Sequence, residues 1–179
     1  MKEKFDPKGM FHFRHIRDGQ VIAEFDQPNV ITLEGRNHLL DVGFHGGTAL
    51  TAWYIGLIDS SGYTAVDEDD TYEEIGGTNG WDEDQDYLDT ANTNSDVTRP
   101  AWIEDAASAG SITGASPSVF AIDTNGTIKG LFVCAGANAQ TKGDSTNSGN
   151  ILWCATLFTS GDRAVLNGDT LEVTYTIST

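Results

Sequence analysis

Thr170-Leu171-Glu172-Val173-Thr174-Tyr175-Thr176-Ile177 is the stretch that decides the fold class. Leu171, Val173, Tyr175 and Ile177 fall on every second position, the period of a strand with one face in a core and one in water. Ile151-Leu152-Trp153-Cys154-Ala155-Thr156-Leu157-Phe158, upstream of it, is almost continuously apolar, as is Ala52-Trp53-Tyr54-Ile55-Gly56-Leu57-Ile58. Short runs of this kind between glycine-rich turns read as buried strands. Ser118–Ile122 and Ile128–Cys134 flank Asp123-Thr124-Asn125-Gly126-Thr127, which reads as a β-hairpin turn rather than a glycosylation acceptor. Phe11–Arg17 and Val21–Phe25 flank Asp18-Gly19, a type I′ hairpin signal, and Pro100–Glu104 reads as an edge strand led by proline. About five to eight short strands with a turn roughly every ten residues make the chain mainly β, an antiparallel β-sandwich of jelly-roll-like character.

One helix interrupts this pattern. Thr32 can cap it and Glu34 sits in its first turn, where the helix dipole favours an acid. Leu33, Leu39, Leu40, Val42 and Phe44 form an apolar stripe, so a helix is expected over residues 33–43, ended by Gly43 or by Gly46-Gly47. Residues 1–28 are expected to form an N-terminal arm or hairpin, and residues 29–179 the sandwich domain.

The 179 residues carry 27 acids against 10 bases, a net charge of -17. From Asp59 to Asp105 there are 15 acids and one base, Arg99. That segment, 59–105, reads as an acidic insertion facing solvent, pinned by Tyr63, Tyr72, Ile75, Trp81, Tyr87 and Leu88. So acidic a chain argues against phosphate binding, hence against nucleic acid as a partner. No stretch approaches the roughly 20 apolar residues of a membrane helix, so no membrane partner is expected. The charged opening Met1-Lys2-Glu3-Lys4-Phe5-Asp6-Pro7 reads as a chain without a secretory signal.

Motifs for chemistry are sparse. Cys134 and Cys154 lie in apolar strands and read as buried, reduced packing residues. His12, His15, His38 and His45 show no zinc-ligand spacing and read as surface or partly buried polar groups. Asp82-Glu83-Asp84-Gln85-Asp86 resembles the opening of a calcium loop, but Tyr87 replaces the required glycine and Thr93 the required glutamate. There is no nucleophile elbow, phosphate loop or dinucleotide fingerprint, and 27 acids make any carboxylate pair unspecific. The expectation is a non-enzymatic protein without cofactor, catalytic residues or metal.

Three stretches resemble small structural proteins of tailed bacteriophages. They are Asn29-Val30-Ile31-Thr32-Leu33-Glu34-Gly35-Arg36-Asn37-His38-Leu39-Leu40-Asp41, then Trp53-Tyr54-Ile55-Gly56-Leu57, then Thr98-Arg99-Pro100-Ala101-Trp102. The ending Asn167-Gly168-Asp169-Thr170-Leu171-Glu172-Val173-Thr174-Tyr175 fits as well. The resemblance covers residues 29–179 and is weakest in the acidic middle. It implies a virion protein assembled in the host cytoplasm, namely a capsid decoration or cement protein on the outside of the head. Its partners would be the major capsid protein and further copies of itself. The alternative it implies is a tail, fibre or baseplate component contacting the host surface. Phe5, Phe11, Phe13 and Ile16 among Lys2, Lys4, Lys8, Arg14 and Arg17 suit a clamping arm, with Phe11, Phe13, Arg14 and Ile16 as the partner-binding candidates. On that reading, deletion of residues 1–28 leaves a folded domain that no longer binds capsids.

Overall fold

A computed structural model describes residues 6–75, 81–146 and 149–179. The chain begins with β1 (Lys8–Arg17), β2 (Gln20–Pro28) and β3 (Val30–Ile31), then helix α1 (Leu33–Leu40), which runs on into a π-helical turn at Asp41–His45. There follow β4 (Trp53–Asp59), β5 (Glu83–Asp84), β6 (Tyr87–Asp89), β7 (Ser111–Thr113) and β8 (Ser118–Ile122). The last four are β9 (Gly126–Ala135), β10 (Ile151–Leu157), β11 (Arg163–Val165) and β12 (Thr170–Ser178). Sheet one has the order β2-β1-β12-β8-β6, with β7 also on β12, and sheet two the order β3-β10-β9-β4-β5, with β11 also on β9. Every pairing between these strands is antiparallel. The expected sandwich is therefore present, with more strands than expected, because five of them are only two or three residues long.

The two apolar patterns in the sequence have separate causes. Sheet one covers the core with one face only. Leu171, Val173 and Tyr175 of β12 point inward beside Phe11 and Phe13 of β1, while Thr170, Glu172 and Thr174 stay half-exposed. Sheet two is buried on both faces, so its strands cannot alternate. Ile55, Leu57, Val133, Trp153 and Cys154 face the inter-sheet core. Ile58, Phe132, Cys134, Leu152 and Ala155 face a second core on the far side, closed by Tyr63, Tyr72, Ile75, Trp81 and Ala139.

That second core corrects the reading of 59–105 as a solvated insertion. Its aromatics clamp the segment down on sheet two, and Glu83, Asp84, Asp89 and Arg99 are buried with them. Asp67, Glu68 and Asp69 remain exposed. The edge strand expected at 100–104 reduces to isolated bridges, Tyr54 to Ala101 and Glu104 to Gly114.

The hairpins divide. Asp18 and Gly19 take φ of 50° and 73°, so the type I′ turn forms and joins β1 to β2. The Asp123–Thr127 hairpin does not form. β8 belongs to sheet one and β9 to sheet two, and none of Asp123, Thr124, Asn125 and Gly126 takes positive φ. The segment is an arch between sheets, because Ile122 and Ile128 must enter the same core from opposite sides. Asn167 pins the arch, its backbone N–H donating to Asn125 Oδ1 at 2.8 Å and its side chain to the Asp123 carbonyl at 2.7 Å.

Residues 8–28 are also not a separate arm. β1 lies between β2 and β12, hydrogen-bonded to β12 from Lys8 to Ile16. His15, expected at the surface or partly buried, is fully buried, and its Nε2 lies 2.7 Å from Asp169 Oδ2. Arg17 closes on the same carboxylate through Nε at 2.8 Å and Nη2 at 2.7 Å, which holds Asp169 far below the usual carboxylate range.

Cys134 and Cys154 are free and buried on neighbouring strands, as expected. One side chain belongs to the outer core and the other to the inner, so they point to opposite faces of sheet two. Burial pushes both thiols up, Cys134 to about 12. Alkylation should therefore leave both unmodified in the native protein and modify both after unfolding without reductant. An intact mass showing the deficit of a disulfide would contradict this arrangement.

Candidate assembly interface

The four residues expected to grip a partner do not form a grip. Phe11 and Phe13 are fully buried, their rings tilted against Tyr175 at 4.6 Å and Phe25 at 4.9 Å. Ile16 is half-buried at the end of β1. Arg14 lies on the outer face of sheet one, paired with Glu172 and 4.0 Å from Glu24. Phe5, Lys2 and Lys4 lie outside the described residues. The sequence pattern was sound for a strand, but a strand with neighbours on both sides spends its aromatic face on the core.

The acidic run 82–86 likewise splits rather than converging on a cation. Glu83 turns inward to Arg99, and Asp84 is buried with its Oδ1 accepting from the Asp86 N–H at 3.0 Å. Among the described residues no three His, Cys, Asp or Glu side chains form a metal-binding group. Burial, reinforced by Asp86, Asp59 and Glu83, pushes the Asp84 carboxyl up to about 6. A carboxyl raised in the folded state binds protons more tightly there than when unfolded, so it costs stability as pH rises from about 4 to 6. Asp84→Asn keeps the acceptor and removes the charge. It should stabilise the protein at pH 7 by about 1–3 kcal/mol, with the gain vanishing by about pH 4, as read from denaturant midpoints.

Several exposed apolar side chains lie on the helix and the turn after it. α1 is capped by Thr32, whose Oγ1 accepts from the Gly35 N–H at 3.0 Å. Gly35 is its only buried residue, because the helix backbone rests directly on Trp153. A Cβ at position 35 would stand 2.8 Å from both the indole Cε3 and the Trp153 carbonyl oxygen. The helix thus docks by its glycine face and turns its expected core stripe outward. Leu40 is 49% exposed and Phe44, in the π-helical turn, 88%. Ile103, on the loop after Trp102, adds another exposed apolar side chain at 59%.

Beside this surface opens a cavity of about 190 Å³, lined by Leu39, Val42, Leu50, Trp53, Trp102 and Trp153, among others. Trp53 meets Trp102 edge to face at 6.2 Å and Trp153 at 5.9 Å. The Trp153 indole N–H donates to the Tyr175 hydroxyl at 2.9 Å, and that of Trp102 to the Tyr175 carbonyl at 3.2 Å. With those two donors satisfied internally, the cavity walls are mostly hydrocarbon, and His38 and Glu104 are its ionisable lining groups. Such a cavity can hold an apolar side chain by dispersion and desolvation.

Neither families of known proteins, nor characterised proteins, nor solved structures provide a match to this chain. No helix among the described residues is long and apolar enough to cross a membrane.

The apolar stripe of Leu39, Leu40 and Phe44 reads as a core face, whereas the structure exposes all three. The signal against that was Gly35. A glycine in the first turn of a helix is unfavourable unless a close backbone approach requires it, and that approach fixes which face is buried.

Proposed function

We propose that this chain is a non-enzymatic structural protein of a tailed-phage particle, a decoration protein on the outside of the head. The observation that carries the reading is the exposed Phe44, placed in the chain between Val42 and Ala49, which line a tryptophan-walled cavity. Exposed apolar area of this kind marks a protein–protein contact surface. The resemblance of residues 29–179 to phage structural proteins supplies the particle, and the sandwich supplies a rigid carrier for the surface. A decoration protein works by burying modest area at each of many repeated sites, so the multiplicity of the shell supplies the avidity. Its partners are then the major capsid protein and further copies of the chain, and its place is the virion.

Quantitative mass spectrometry of purified particles tests this. Abundance comparable to the major capsid protein is the expected result. A handful of copies would assign the chain to a fibre or baseplate instead, and absence from particles would end the virion reading.

A further inference from the structure

We propose that two copies of the chain pair about a two-fold axis, the Phe44 ring of each filling the tryptophan-lined cavity of the other. The proposal deepens the reading of this face as an assembly surface and rests on it. Knob and hole belong to one patch. Phe44 lies in the chain between Val42 and Ala49, both of which line the cavity, yet its own ring stands in solvent. A patch carrying a protrusion and a matching hollow suits an isologous contact, in which each copy gives and receives the same group.

Size agrees with this occupant. An apolar cavity of about 150 Å³ accepts benzene, and at about 190 Å³ this one has room for a single phenyl ring. Chemistry agrees as well, since the walls around the ring would be indole and aliphatic carbon.

Charge tolerates a second copy on this face better than elsewhere. A chain of net charge -17 repels itself across most of its surface. Residues 33–58 carry Glu34 and Asp41 as acids against Arg36, His38 and His45; Arg36 is paired with Glu68, and Glu104 adds an acid at the cavity wall. Glu34 is turned inward, accepting from the Tyr72 N–H at 3.0 Å and the Leu152 N–H at 2.6 Å. Two such surfaces can meet with less repulsion than segment 59–105, with its 15 acids and one base, would impose.

Sedimentation equilibrium of the full chain should give twice the 19.2 kDa chain mass. Phe44→Asp should sediment as a single chain with unchanged circular dichroism, its dissociation constant raised about 30-fold or more, because truncating a central aromatic anchor has effects of that order. p-Benzoylphenylalanine placed at position 44, in a mixture of isotopically light and heavy chains, should crosslink light to heavy at peptides containing Trp53, Trp102 or Leu50. A wild-type chain that stays at 19.2 kDa across the concentration range overturns the proposal. So does a Phe44→Asp chain that still pairs, or a crosslink confined to one chain. Particle abundance is read separately. A pairing chain missing from virions would leave the dimer standing and remove the decoration role, whereas an abundant monomer would do the reverse.

Discussion

Arg99→Met is expected to destabilise the protein by about 3–5 kcal/mol, the cost of breaking a buried ion pair from one side. Arg99 and Glu83 are both buried, joined by Nε to Oε1 at 2.7 Å and Nη2 to Oε2 at 2.8 Å. The remaining guanidinium donors reach the Tyr72 hydroxyl at 3.1 Å, the Ala139 carbonyl at 2.8 Å and the Asp144 carbonyl at 3.2 Å. One side chain thereby ties two long loops, the acidic segment and residues 136–146, to the outer face of sheet two. Methionine fills most of the volume but leaves the buried Glu83 carboxylate with the Gly143 N–H at 2.6 Å and the Tyr87 hydroxyl at 3.5 Å and no cation. Removing both charges is a smaller change than removing one, because desolvation of the pair disappears together with its attraction. The double variant Arg99→Met with Glu83→Leu should accordingly recover most of the loss. Urea unfolding followed by tryptophan fluorescence measures both. A single-variant loss below about 1 kcal/mol would mean that the pair does not hold the loops down.

The parts of this fold that could be read from sequence are those governed by local physics. The alternation of β12, the Asp18-Gly19 turn and the Thr32 cap each depend on residues within a few positions of one another. What escaped depends on what packs where. Asp123–Thr127 has hairpin composition, yet whether two strands pair or separate into different sheets is settled by the core that Ile122 and Ile128 share. The continuous apolar runs of β9 and β10 did announce two buried faces, and with them a second cover. Arg99, the single base among 15 acids, was the clue that the cover is the acidic segment itself, since a lone base there is worth most when desolvated. The apolar surface at α1 was hidden for the opposite reason. A leucine stripe is usually core, and only the Gly35 contact with Trp153 reverses the helix.

Deleting residues 1–28 is expected to abolish folding, the reverse of what an appended arm would give. β1 contributes Phe11 and Phe13, both fully buried, and each is worth about 3–5 kcal/mol on truncation to alanine. Together they approach the whole stability of an ordinary domain, about 5–15 kcal/mol. The deletion also strips the ladder along β12 from Thr170 to Ser178, opens Leu171, Val173 and Tyr175 to water, and leaves Asp169 without Arg17 or His15. The Asp169 contribution alone carries a pH signature. A carboxyl depressed in the native state stabilises above its unfolded value near 3.9 and stops doing so as pH falls through its folded value, so wild type should weaken in acid at this site while Asp84 works in the other direction. Because the losses in the deletion exceed the stability available, compensation by the remaining strands is not expected. The truncated chain should show neither the β-sheet circular dichroism nor a cooperative melt. A cooperative transition in that chain would mean that β12 can serve as an edge strand and that the first hairpin is dispensable after all.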